Sequence, residues 1–203
     1  MSSRKENTMA GKRIGLFFGT FNPIHMGHLI IANYMLEFCP IDELWFVVSP
    51  QSPFKKHQTL ADDRHRLEMV NLAIGDTVHY RATDIEFYMP KPSYTIDTVA
   101  YLYDRYPGKK FSIIMGADNL ETFHKWKNFE KLLELCPVLV YPRPGHSLSN
   151  SLVKGDIAIV DAPLMEISSS FIRKSIAEGK DIRFFLPSEV WNYIQKIGLY
   201  RQR

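Results

Sequence analysis

Short apolar runs alternate with amphipathic stretches along almost the whole chain. The first run, RIGLFF at residues 13–18, is followed after a Gly/Pro-bearing turn by HMGHLIIANYMLEF, in which Leu29, Ile30, Met35 and Leu36 fall near helical spacing. Cys39-Pro40 ends that helix, because a proline disfavours helical geometry in the residue before it. A second strand is predicted at LWFVV, residues 44–48, and a loop over residues 49–60, where two prolines and two lysines show no periodicity.

Asp62 or Asp63 caps the next helix, which carries Leu67, Met69, Val70 and Leu72. A weak strand near residues 78–85 leads into the Pro-rich YMPKPSYTIDT, and Ser93 or Thr95 opens a helix that reaches Tyr106 before Pro107-Gly108. FSIIM, residues 111–115, reads as a buried strand. A helix near residues 128–135 stops at Cys136-Pro137, and strands follow at VLVY (138–141) and IAIV (157–160). Ser168 caps a helix through Ala177, Gly179 stops it, and Pro187 starts a last helix through Ile197. Strands and helices in this alternation predict an α/β domain around a parallel sheet. We expect one domain over residues 13–203, with a helical C-terminal portion from about 168 to 200. Residues 1–12 are polar, lack the apolar stretch of a secretory signal and read as a disordered leader.

A length of 203 residues suits a single core, and 45% apolar with 23% charged residues is an ordinary globular balance. No run approaches the roughly 18 consecutive apolar residues of a membrane span. Lys and Arg total 25 against 22 Asp and Glu, a net +3 without a basic block, which argues against nucleic-acid and membrane partners and for a small anionic substrate. Cys39 and Cys136 are far apart and neither belongs to a CxxC pair, so no zinc or disulfide framework is expected and a reducing cytoplasm is favoured. None of these features sets an oligomeric state.

GTFNPIHMGH, residues 19–28, sits where the first strand gives way to the first helix. In open parallel sheets ligands bind at the C-terminal ends of strands, and helix N–H groups there face anions. Gly19 lets a phosphate approach the backbone, while His25 and His28, across Gly27, fall on one face of the first helical turn. Neither GxGxxG nor GxxxxGK[ST] occurs. HxxH lacks the i, i+4 pairing and nearby carboxylate of HExxH, so no protein metal site is assigned.

GTFNPIHMGH resembles the G-[ST]-F-[DN]-P-x-H-x-G-H signature of the nucleotidylyltransferase superfamily, and ISSSFIR (167–173) resembles its ISS[ST]xxR element. PSYTIDT (92–98), GADNLETFHKWKN (116–128) and IRFFLPSEVWNYI (182–194) are similar to the nicotinate-nucleotide adenylyltransferases. The matches run from about Arg13 to Ile197. Phe18 stands where many members have Gly, Asn22 where many bacterial members have Asp, and Lys55-Lys56-His57 where Pro-Pro-His-Lys is usual.

The resemblance implies a Rossmann-like open, mostly parallel sheet with helices on both faces, and adenylyl transfer from ATP, carried as its Mg²⁺ complex, to nicotinate mononucleotide. It assigns phosphate donors to His25, His28 and Arg173, and ATP contacts to Gly19, Thr20, Phe21, Asn22, Gly27, Gly116, Asp118, Ser168, Ser169 and Ser170. Arg173, four residues after Ser169, returns to the same helix face. Lys55, Lys56, Tyr94, Thr95 and Trp126 are assigned to the mononucleotide. Trp126 offers a π-face to a pyridinium or is a core anchor, Thr95 meets a carboxylate or only caps a helix, and Asp118 accepts from a ribose or caps. Rival acceptors are nicotinamide mononucleotide, phosphopantetheine and glycerol phosphate. A nucleotide-sensing module without catalysis would be expected to have lost a signature His or Arg173, and none is lost.

Overall fold

Leu44, Trp45, Phe46, Val47 and Val48 are all buried, the pattern of a strand covered on both faces. This strand is β2 (Glu43–Val48), one of six among the described residues, 11–50, 60–148 and 153–201 of a computed structural model. The others are β1 (Arg13–Gly19), β3 (Tyr80–Thr83), β4 (Lys110–Gly116), β5 (Val138–Tyr141) and β6 (Ile157–Ile159). All pair in parallel, in the order β3-β2-β1-β4-β5-β6. The helices are α1 (Met26–Phe38), α2 (Asp63–Ile74), α3 (Thr95–Arg105), α4 (Ala117–Thr122), α5 (Phe129–Leu135), α6 (Ser169–Ala177) and α7 (Ser188–Ile197).

Strand alternation splits the core into two layers. Ile14, Leu16, Trp45 and Val47 pack with Val99, Leu102 and Leu132 of α3 and α5. Phe17, Leu44, Phe46 and Val48 turn the other way, onto Ile31, Met35, Met69, Ile172 and Ile194 of α1, α2, α6 and α7. The two C-terminal helices therefore share the core that covers β1, and His65 Nδ1 meets Tyr193 Oη at 2.8 Å across α2 and α7.

β1 has β2 on one side and β4 on the other, so the strand order reverses between β1 and β4. At such a switch point the loops leaving the C-terminal ends diverge and open a crevice. Here those ends are Gly19 and Gly116.

Elements differ from their sequence expectation at four places. The edge strand β3 is shortened to Tyr80–Thr83, because Ile85–Tyr88 coils into a 3-10 turn. α4, six residues long, was not expected. α3 opens at Thr95, one of the two expected starts, but its N-cap is Tyr94, without a side-chain bond, and the Ser93 hydroxyl is drawn 3.0 Å to Glu86 instead of to the helix. Lys12, counted with the leader, joins the fold: its carbonyl accepts the Lys110 N–H at 2.9 Å and its ammonium meets Glu43 at 2.6 Å.

Candidate active site

The loop leaving β1 turns sharply. A side chain at Gly19 would meet the Phe21 ring at 2.9 to 3.1 Å, and Phe21 takes a left-handed φ of 44° while its ring packs edge-on to Phe17, Phe46 and His28. The loop is held from behind by Arg66, which is fully buried. Its guanidinium donates to the carbonyls of Thr20 (2.6 Å), Ser49 (2.7 Å), Ala61 (3.0 Å) and Pro50 (3.1 Å), and pairs with Asp63. Arg66 thus fastens the chain leaving β1 to the chain leaving β2. Asn22 serves the same scaffold: its Oδ1 accepts from Ala61 N (3.1 Å) and Tyr200 Oη (2.8 Å).

His25 and His28 lie just beyond. His25 is 3% exposed, and among the described residues its Nδ1 has no hydrogen-bond partner. Burial, helped by the positive Arg143, pushes its pKa down to about 3. Burial holds His28 well below the usual histidine range, with His25 and Arg143 acting in the same direction. The His25 N–H reaches His28 Nδ1 at 3.3 Å, which makes that nitrogen an acceptor and leaves the proton of the neutral ring on Nε2. His28 is thereby set as a neutral donor.

α6 docks onto the same loop. Ser168 caps it by accepting from Phe171 N at 3.2 Å, and Ser169 Oγ donates to Pro23 O at 3.0 Å. Arg173 donates to Asn22 O at 2.8 Å and to Ser170 Oγ at 3.3 Å, which holds its guanidinium against the start of the helix. Three helix-start serines, a cation and two neutral imidazoles form a wall suited to polyanions.

The opposite wall is the start of α3 and the 123–127 turn. Trp126 is half-buried with its ring 5.1 Å from Phe123. Lys127 bonds Asp97 at 2.8 Å and lies 4.6 Å over the Tyr94 ring, tying the turn to α3.

Both walls belong to one cavity of about 950 Å³. Of the residues expected from the sequence, it brings together Gly19, Thr20, Phe21, His25, His28, Tyr94, Thr95, Asp118, Trp126, Ser168, Ser169, Ser170 and Arg173. Asn22, Gly27 and Gly116 are not on its lining; the first is committed to the scaffold, and the glycines contribute missing side chains. A Cβ at Gly116 would collide with Asp118 Oδ1 and come within 2.9 Å of Arg143, and one at Gly27 would press on the His25 ring at 3.1 Å. Lys55, Lys56 and His57 lie outside the described residues.

A family model for cytidylyltransferase-like proteins matches residues 16–175. A protein of Flavobacterium johnsoniae named probable nicotinate-nucleotide adenylyltransferase is 51% identical over 94% of this chain and 100% of its own length. A Bacteroides fragilis protein of the same name is 46% identical over 92% of each chain. The chain belongs to the nicotinate-nucleotide adenylyltransferase family. Its fold is shared with the Plasmodium falciparum nicotinic acid mononucleotide adenylyltransferase complexed with NaAD (TM-score 0.78, 22% identity, 93% of this chain and 97% of that one). A putative nicotinate-nucleotide adenylyltransferase from Vibrio parahaemolyticus shares it too (TM-score 0.69, 23% identity, 95% and 97%).

Among the lining residues of this adenylyltransferase fold that were not singled out from sequence are the polar Arg143, Glu86 and Ser49. Arg143 Nε lies 3.6 Å from Asp118 Oδ1, adding a cation to the polyanion wall. It stands two residues past the C-terminal end of β5, and that position in a parallel sheet was the signal available. Arg66, behind the loop, had none: a charged residue on an amphipathic helix ordinarily faces water.

Proposed function

We infer that this chain transfers the adenylyl group of ATP to nicotinate mononucleotide, releasing pyrophosphate and forming deamido-NAD for NAD biosynthesis. The observation that carries the reading is the joining, in one cavity, of a wall of phosphate donors to a helix start flanked by Trp126. A site for one nucleotide alone has no use for the second wall.

In the reaction a phosphate oxygen of the mononucleotide attacks the α-phosphorus of ATP in line, and the bond to the pyrophosphate oxygen breaks. The attacking phosphate has a second pKa of about 6 and is largely dianionic at neutral pH, so no protein base is required. The protein's work is alignment and charge stabilisation. His28, neutral and carrying its proton on Nε2, donates to a phosphate oxygen without first losing or gaining a proton. His25, Arg173 and the α6 start supply the remaining donors, with Lys55 or Lys56 assigned beside them on sequence alone. Asp118 accepts from ribose hydroxyls, Trp126 stacks on the pyridinium, and the N–H groups at the α3 start receive its carboxylate. Among the described residues no group of three His, Cys, Asp or Glu gathers as a metal cage. Magnesium enters as part of the ATP substrate, carried by phosphate oxygens and water. Both cysteines are free thiols and no described helix is long and apolar enough to cross a membrane, which supports a cytoplasmic place of work.

The test is pyrophosphate release from ATP and Mg²⁺ with each candidate acceptor. Release should be fastest with nicotinate mononucleotide. Faster turnover with nicotinamide mononucleotide, phosphopantetheine or glycerol phosphate would overturn the assignment.

A further inference from the structure

Glu86 sits on the 3-10 turn after β3, is 2% exposed, and yet forms part of the cavity wall. Its two carboxylate oxygens are used separately. Oε2 accepts from Ser93 Oγ at 3.0 Å, and Oε1 accepts from Thr98 Oγ1 at 2.8 Å. Ser93 precedes the N-cap Tyr94, and Thr98 lies one turn into α3. The carboxylate therefore grips the start of α3 from both sides.

Between those two grips lie the first N–H groups of the helix. The Asp97 and Thr98 N–H groups are spent on Tyr94 O, at 3.0 and 3.2 Å. Thr95 and Ile96, which line the cavity, have no acceptor for their N–H groups among the described residues. Holding a buried carboxylate on two neutral hydroxyls, with no cation within ion-pair distance among the described residues, is an expensive way to pack a turn. It is an effective way to fix the direction in which two unpaired donors point.

Resting on the reading of the acceptor as nicotinate mononucleotide, we propose that Glu86 is a positioning residue for that acceptor's ring carboxylate. It acts through Ser93 and Thr98 on the Thr95 and Ile96 N–H pair. Its negative charge opposes a second carboxylate nearby, so its benefit is geometric. Its removal should be felt in acceptor binding and not in the transfer step.

The experiment compares the unaltered protein with Glu86→Ala, Ser93→Ala and the double variant, with steady-state kinetics for each substrate. Glu86→Ala should raise KM for nicotinate mononucleotide about tenfold, with kcat and KM for ATP within about twofold. Ser93→Ala should raise the same KM by less. The double variant should be no worse than Glu86→Ala, since both changes cut one chain of contacts. An unchanged acceptor KM, an equal rise in KM for ATP, or effects that multiply in the double variant would overturn the proposal. If Glu86→Ala does not fold, Glu86→Gln takes its place in the same cycle. Failure of the underlying reading is distinct: the unaltered protein itself would release no pyrophosphate with nicotinate mononucleotide.

Discussion

The imidazoles of His25 and His28 lie stacked, with centroids 3.7 Å apart and planes 24° from parallel. Two rings in such contact, beside Arg143 and largely shut off from water, are held neutral together, since protonating one raises the cost of protonating the other. The stack supplies donors that need no deprotonation, and it also makes the fold sensitive to acid.

That sensitivity has a definite sign. Both histidines titrate below their unfolded value of 6.5 when folded, His25 at about 3, so between those pH values the unfolded chain binds more protons. Stability conferred by the neutral pair is complete above pH 6.5 and is lost progressively as pH falls toward 3. Urea midpoints followed from pH 7.5 to 4 should decline more steeply for the unaltered protein than for His25→Gln. Parallel declines would mean that the two rings are not buried neutral.

His28→Ala should lower turnover about 10²-fold or more while far-UV circular dichroism stays unchanged, because the lost donor acts on charge that grows in the transition state. His25→Ala should behave alike. Near-normal turnover in both variants would remove the histidines from the phosphate wall.

Trp126→Ala should weaken nicotinate mononucleotide by about 1 to 3 kcal/mol, the range of base stacking on an aromatic ring, and leave ATP affinity nearly unaltered. Calorimetric titration of each ligand checks it. Equal losses for both would make Trp126 a support for Phe123 and the turn, with no role in stacking.

Arg66→Met should cost about 3 to 5 kcal/mol of folding stability, since it leaves four carbonyls at the loop bases without their donor, while the half-exposed Asp63 keeps Lys91 at 3.7 Å. Denaturant unfolding gives the number directly. A loss below about 1 kcal/mol would show that water or neighbouring groups can replace the guanidinium.

Hydrophobic periodicity by itself determined the strands β1, β2, β4 and β5, the long helices and the parallel α/β class, because each period reports the local geometry that buries a face. The Gly, His and Ser motifs likewise marked the polyanion wall, since its groups come from short segments at a strand end and two helix starts. Only the tertiary structure decided which distant groups hold those segments. Arg66 on a helix, Glu86 after an edge strand and Tyr200 near the C-terminus each reach the site by hydrogen bonds that carry no periodic trace. Ser93 shows the difference most plainly. Its local pattern is that of a cap, yet the hydroxyl turns to Glu86, because a buried carboxylate seven residues away binds it more strongly than its own helix does.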